Sequence, residues 1–110
     1  MLQGPYTILS AYSWNSPRVP GVYILSKARD GRRADYVGRS DSDVRARLIK
    51  SVTEGRGYTH FWFEFASSPR EAFRLECQYY HQYSPSDNSV HPAVPAGTFW
   101  RCPVGGCPWA

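Results

Sequence analysis

Two short motifs, Gly21-Val22-Tyr23 and Tyr36-Val37-Gly38, enclose a basic segment with the pair Asp30-Gly31 near its centre. An Asp-Gly pair between two strand-forming segments is the strongest short-range signal for a β-hairpin with a two-residue type I′ turn, because both central residues of that turn need a positive φ. We therefore predict two antiparallel strands, at residues 22–29 and 32–38.

The predicted turn also sets which residues of the two strands lie opposite each other. The opposed pairs are Arg29 with Arg32, Leu25 with Tyr36, and Tyr23 with Gly38. Tyr23 and Tyr36 then project from one face of the sheet as diagonal neighbours. Because Gly38 has no side chain, we expect open space beside the Tyr23 phenol, where a ligand could approach. The alternative interpretation is that the two tyrosines are an ordinary cross-strand packing pair.

Capping signals and hydrophobic periodicity predict the next elements. Ser40 and Asp43 form a capping box that begins a helix over about 41–52, and the glycine-containing segment 53–57 ends it.

The segment YTHFWFEF, residues 58–65, alternates in character and predicts a strand with Phe61 and Phe63 on one face. A second capping box, from Ser68 to Glu71, begins a helix over 69–83.

Together these elements predict one domain, residues 1–110, of the α+β class: a small antiparallel three-stranded sheet flanked by helices in the order β-β-α-β-α. We expect residues 1–19 to form an irregular packed arm or a single helical turn, and residues 20–88 to form the core. Residues 89–110, with four prolines and three glycines, are expected to form an irregular tail.

The positive charge is concentrated in one part of the chain. The net charge is +4, and residues 27–56 carry nine of the thirteen Lys and Arg against five acids. This suits a polyanion such as DNA, although a basic soluble surface has the same composition. The candidate DNA contacts are Arg32, Arg33, Arg45, Lys50 and His60. No apolar run reaches membrane-spanning length and no signal sequence is evident, so we expect a cytoplasmic protein without a membrane partner.

Glu76 is an unusual residue for its position. On the predicted helix it lies in the middle of the apolar arc, where a carboxylate is costly unless a cation or hydrogen bonds compensate it. One interpretation is an internal ion pair with an arginine. The other is a ligand for a hard divalent cation such as Mg²⁺.

A second candidate metal site lies toward the C-terminus. Cys102 and Cys107 have loose zinc-ligand spacing, and Cys77 and His81 lie one turn apart on the predicted helix, with His91 as a fifth candidate. A structural Zn²⁺ would tie the tail to the helix. The alternative is buried free cysteines and locally bonded histidines.

The order of these motifs resembles the GIY-YIG nuclease family over about residues 20–88. The matching residues, in chain order, are GVY with Tyr23, YVG with Tyr36, then Arg39, Arg47 within VRARL, Glu76 and Asn88. Helical periodicity alone slightly favours Arg45 over Arg47 as the inward arginine, whereas the resemblance favours Arg47. Relatives often carry Tyr or His where this chain has Ser51, a role that is either absent or supplied by His60 or Tyr58.

The resemblance implies a metal-dependent DNA endonuclease. One tyrosine, either Tyr23 or Tyr36, would activate water, Arg39 would lie beside the phosphate, and Arg47 would stabilise the transition state. Glu76 would hold one Mg²⁺ or Mn²⁺. The alternatives are a nucleic-acid-binding module of the same fold that does not cleave, and a zinc-stapled protein-interaction domain. We expect weak sequence preference or a partner protein that supplies targeting; the oligomeric state stays open.

Overall fold

The computed structural model describes residues 1–55, 57–88 and 90–110. Its elements, in chain order, are β1 (Gln3–Thr7), α1 (Ile8–Ser13), β2 (Gly21–Ser26), β3 (Tyr36–Ser40), α2 (Val44–Glu54), β4 (His60–Phe65) and α3 (Pro69–Tyr83). The predicted helix stop at 53–57 and the predicted tail at 89–110 each contain one residue, Arg56 and Ser89, outside the described ranges.

The α+β class is confirmed, but the prediction of three strands is wrong. The sheet has four antiparallel strands in the order β1-β4-β2-β3, and the additional strand comes from the supposedly irregular arm. Gly4 and Pro5 hide β1 in the sequence because both residues are depleted in strands. At the edge of the sheet a proline is tolerated, and the pairing of β1 with β4 shifts register between Gln3 and Tyr6.

The register of the β2–β3 pair is as predicted. Tyr23 lies opposite Gly38 and Leu25 lies opposite Tyr36. The two-residue turn is wrong, however, and so is the pairing of Arg29 with Arg32, because a loop over 27–35 joins the strands.

Asp35 organises this loop from its buried position at the end. Its carboxylate accepts hydrogen bonds from the Lys27 backbone N–H and from Arg33 Nε, both at 2.7 Å, while its own N–H donates to the Leu25 carbonyl at 2.9 Å. Gly31, at φ +71°, forms a local turn inside the loop by donating to the Ala28 carbonyl. The Asp-Gly signal therefore marks a turn within a longer loop.

The two main helices begin at capping residues. Ser68 caps α3 by accepting from the Glu71 N–H, and the predicted helix bounds are confirmed. The start predicted for α2 is wrong by several residues, because Asp43 is its N-cap and accepts from the Ala46 N–H. Ser40 instead accepts from the Asp43 N–H and shapes the preceding turn.

The sheet is covered on both faces. Tyr23 and Leu25 pack with Leu48 of α2 on one face, and Val22 and Ile24 belong to the cluster beneath α3 on the other. β2 is consequently buried along its whole length, whereas β3 is an edge strand with α2 and α3 on either side. A cavity opens at this edge, between the two helices that cover opposite faces of the sheet.

The tail packs against the outer side of α3. Phe73 and Cys77 of that helix form a third cluster with Cys102, and Trp100 lies against Phe73. Within the described residues, every helix is too short or too polar to cross a bilayer.

Candidate active site

A cavity of about 430 Å³ opens at the β3 edge, between α2 and α3. Five of the residues that the sequence predicts to be catalytic line it: Tyr23, Tyr36, Arg39, Arg47 and Glu76. They come from two strands and two helices. The fold therefore brings together residues that are up to 53 positions apart in the chain.

Tyr23 forms the floor of the cavity. It is fully buried, and its hydroxyl lies 2.5 Å from Ser51 Oγ on α2. Burial raises the pKa of the Tyr23 phenol above its ordinary value, although Ser51 and Arg47 oppose that shift. The position of a Gly38 side chain is filled by the phenol itself, because a Cβ there would lie 2.5 Å from Tyr23 Cζ and Oη. The open space beside the phenol is the cavity, which Tyr23 and Gly38 both line.

Tyr36 is the more accessible of the two phenols. It is half-buried on the cavity wall, and its ring centroid lies 6.2 Å from that of Tyr23 and 6.5 Å from that of Tyr58. Tyr58 donates its hydroxyl to Asp87 at 2.7 Å, so it stands behind Tyr36 and faces the 84–88 turn.

Arg39 is the most extensively bonded side chain of the cavity. Nη1 donates to Glu76 Oε1 at 2.5 Å, Nε donates to Asp41 Oδ1 at 3.1 Å, and Nη2 donates to the Ala93 carbonyl at 3.0 Å. The guanidinium also lies over the Phe73 ring, at 5.2 Å from the centroid. With all three nitrogens engaged, Arg39 joins β3, α3 and the tail.

Glu76 is buried, at 8% exposure, as its place on the apolar arc of α3 predicts. Burial raises the pKa of its carboxyl, against the opposing effect of Arg39. The ion-pair interpretation is thus realised in the structure through Oε1. Oε2 makes no hydrogen bond to any described residue and is not sealed from solvent, so a carboxylate oxygen remains at the cavity.

The two arginines of α2 have different surroundings. Arg45, which periodicity favoured, donates to the carbonyls of Ala11 and Tyr12 at 3.0 and 2.9 Å and so fastens α1 to α2. Arg47 lines the cavity and is exposed. Arg47, which the resemblance favours, is thus the arginine of α2 that lies at the cavity beside Tyr23.

Asn88 lies beside the cavity, on the outer edge of β3. Its Oδ1 accepts from the Val37 N–H at 2.8 Å and its Nδ2 donates to the Val37 carbonyl at 2.9 Å. The side chain thereby pairs with the edge strand as a neighbouring strand would. It holds β3 in place between Tyr36 and Gly38.

The five residues predicted to contact DNA are dispersed. Among the described residues none of them lines the cavity. Arg45 is bonded to α1, and Lys50 is exposed on α2. In the β2–β3 loop, Arg33 pairs with Asp35, and Arg32 borders a groove on the α3 side together with Trp62. His60 packs on Gly31. Lys50 follows Arg47 by three positions and shares its helix face.

Sequence reasoning missed two residues of the site. Asp41 lines the cavity and bonds to Arg39, but it was absorbed into the predicted helix start. Ser51 was noted only as a departure from the family pattern, yet its hydroxyl contacts Tyr23 directly. Its position one helical turn after Arg47 is the signal that the sequence offers.

A separate group of His and Cys residues lies between α3 and the tail. His81, His91, Cys102 and Cys107 place one ligand atom each within 4.8 Å of the others, an arrangement that could hold a metal ion. Among the described residues this group includes the fifth candidate, His91, but not Cys77, whose buried thiol lies in the third cluster beside Cys102.

Comparison with known proteins identifies no relative of the chain. No family model matches the sequence, and no curated protein or solved structure is significantly similar to the chain.

Proposed function

We propose that the chain is a metal-dependent DNA endonuclease of the GIY-YIG type, which hydrolyses phosphodiester bonds in the cavity at the β3 edge. The observation that carries this proposal is the convergence on one cavity of Tyr23, Tyr36, Arg39, Arg47 and Glu76. Together they supply a proton acceptor, positive charge for a phosphate, and an oxygen ligand for a cation.

A divalent cation suits the carboxylate side of the cavity. Mg²⁺ and Mn²⁺ prefer oxygen ligands, and Mg²⁺ is usually held by one or two carboxylates together with substrate phosphate oxygens. Glu76 Oε2, which has no hydrogen-bond partner among the described residues, and the exposed carboxylate of Asp41 would hold it. The bound cation would polarise the phosphate and stabilise the departing oxygen.

The two cavity arginines have different parts in this proposal. Arg47 is exposed at the cavity and can donate to the phosphate oxygens that gain charge in the transition state. Arg39 is already engaged by Glu76, Asp41 and Ala93, so we assign it to positioning the carboxylates.

Tyr36 is the better candidate for the general base. Tyr23 is fully buried, and its raised pKa disfavours loss of its proton. Tyr36 keeps contact with solvent on the cavity wall, where an attacking water would enter. Tyr23, held by Ser51, would fix the position of Tyr36 through ring contact.

DNA is the substrate class that the charge distribution supports. Lys50 extends the positive face of α2 away from Arg47, and Arg32 and Arg33 would make more distant phosphate contacts from the β2–β3 loop, with His60 beside them. Such contacts read phosphate rather than sequence. We therefore propose weak sequence preference, or targeting by a partner protein.

Incubation with supercoiled plasmid tests the proposal. Nicked and linear products that require Mg²⁺ or Mn²⁺ and disappear with EDTA are expected. A gel shift without cleavage in either metal would replace the endonuclease by a non-cleaving binding module. Neither cleavage nor binding would leave the protein-interaction domain as the remaining function.

A further inference from the structure

We propose that His81, His91, Cys102 and Cys107 form a structural zinc site that fastens the tail to α3. The four ligand atoms lie within 4.8 Å of one another, although the residues span 27 positions of the chain. Two imidazoles and two thiolates are a ligand set typical of structural Zn²⁺ sites, and the two thiolate charges neutralise the ion.

The distances are close to those of a tetrahedral site. Zn–N and Zn–S bonds of ordinary length put neighbouring ligand atoms about 3.3–3.8 Å apart. His81 Nε2 lies 3.2 Å from His91 Nε2, which lies 3.4 Å from Cys107 Sγ. The group thus needs only a small contraction around the ion.

The orientation of His91 suits a metal ligand. Its Nδ1 lies 3.0 Å from the Pro92 carbonyl, to which it can only donate. In the neutral ring this leaves Nε2 with a lone pair directed at His81 and Cys107. A carbonyl on the far nitrogen is the usual way in which a metal-binding histidine is oriented.

The contacts around Cys107 fix the position of its sulfur. The Trp109 N–H donates to Cys107 Sγ at 3.4 Å, and the Cys102 N–H donates to the Trp109 carbonyl at 2.8 Å. The Trp109 ring stacks on His91, with an interplanar angle of 9°. The segment from Cys102 to Trp109 thus folds back on itself, with both sulfurs close to the histidines.

A metal at this place would add to the packing of Trp100 on Phe73 in fastening the tail. The described part of residues 90–110 contains no helix or strand, and a segment of this kind stays ordered only when something fastens it. Zinc would join α3, through His81, to three points of the tail. Its binding free energy would then contribute directly to folding.

The proposed zinc site is also close in sequence to a residue that lines the cavity. Ala93, two residues after His91, accepts a hydrogen bond from Arg39 at 3.0 Å. Loss of zinc would release this carbonyl and loosen the Arg39–Glu76 pair. This last step rests on the proposed function, whereas zinc binding itself does not.

Elemental analysis of protein purified without chelator tests the site. The test variants are Cys107→Ala and His91→Ala, each of which removes one proposed ligand. The matched control is Cys77→Ala, which removes a neighbouring thiol that is not among the proposed ligands. We expect about one zinc per chain in the wild type and in Cys77→Ala, and loss of stoichiometric zinc in the other two variants. Removal of zinc should lower the Tm by roughly 10 °C or more. Co²⁺ should restore it, with the charge-transfer and ligand-field bands of a tetrahedral thiolate site.

Two results would overturn the proposal. One is wild-type protein that contains no zinc and gives no thiolate–cobalt band on titration with Co²⁺, a readout that needs no variant to fold. The other is zinc that survives His91→Ala but is lost from folded Cys77→Ala. Both readouts are independent of DNA cleavage, so an inactive protein with bound zinc refutes the proposed endonuclease and leaves the zinc site standing.

Discussion

Replacement of Gly38 by alanine should destabilise the protein through one contact, that with Tyr23. The new Cβ would lie 2.5 Å from Tyr23 Cζ and Oη, whereas ordinary contact begins at 3.4 Å, so the ring must move by about 0.9 Å, the difference of these distances. The ring is fully buried and bonded to Ser51, so it has no free space to enter.

The expected cost follows from opposing effects. Overpacking costs about 1–3 kcal/mol, and a lost Tyr23–Ser51 hydrogen bond costs about 1 kcal/mol. Alanine also restricts the unfolded chain more than glycine does, which stabilises the folded state by about 0.4–1 kcal/mol. This gain applies here because the φ angle of Gly38 is not positive, so alanine adopts it without strain. We expect a net loss of about 1–3 kcal/mol in the free energy of unfolding.

Urea unfolding, followed by tryptophan fluorescence, measures this loss in two backgrounds. In Tyr23→Leu the clashing atoms are absent, so Gly38→Ala should become neutral or stabilising by about 0.4–1 kcal/mol. Tyr23→Phe is the matched control, because it keeps Cζ and therefore most of the clash. An equal cost of Gly38→Ala in the wild-type and Tyr23→Leu backgrounds would refute the reasoning.

Three further predictions concern the site and its supports. Arg47→Ala should slow cleavage by at least about a hundredfold, whereas Arg45→Ala should leave the rate nearly unchanged and lower stability by about 1–2 kcal/mol, measured by single-turnover kinetics and urea unfolding. Ser51→Ala should destabilise by about 1 kcal/mol, and thermal melts of Tyr23→Phe with and without Ser51→Ala should show that the two losses are not additive. Asp35→Asn should cost about 1–3 kcal/mol at neutral pH. Although burial alone would raise the pKa of Asp35, the hydrogen bonds from Lys27, Arg33 and Ser86 lower it, so its stabilisation is present above the unfolded-state pKa and is lost as the pH falls through the folded-state pKa. The difference between wild type and Asp35→Asn should therefore shrink below about pH 4, which urea midpoints across pH would show.

The parts of the fold that the sequence predicts well depend on local signals. The bounds of α3 follow from Ser68 and Pro69, whose capping geometry needs no tertiary contact. The register of Tyr23 with Gly38 also survives, because a longer symmetric loop keeps the same opposed residues as a two-residue turn.

The parts that it predicts poorly depend on contacts between distant segments. Pro5 conceals β1, whose partner β4 lies more than fifty residues away. Asp35, which directly precedes β3, selects a loop over a tight turn through bonds to Leu25 and Lys27 at the end of β2 and to Ser86. Likewise, His91 lies with His81, Cys102 and Cys107 because the tail folds back on α3.

At the candidate site, the sequence predicts which residue types are present but not which of them contact one another. The helical position of Glu76 indicates an inward carboxylate, but the sequence does not show which arginine meets it. Arg45 and Arg47 differ by two positions, and helical periodicity does not separate them, whereas packing against α1 engages Arg45 and leaves Arg47 at the cavity.

The most direct test of the central claim is the single-turnover rate of Mg²⁺-dependent DNA cleavage by Glu76→Gln, with DNA affinity measured on the same preparations. Glutamine keeps the volume and an oxygen acceptor for Arg39 but removes the charge that would hold the cation. We predict a rate at least about a hundredfold lower, with a Kd for DNA near that of the wild type. Undiminished Mg²⁺-dependent cleavage by Glu76→Gln would contradict it.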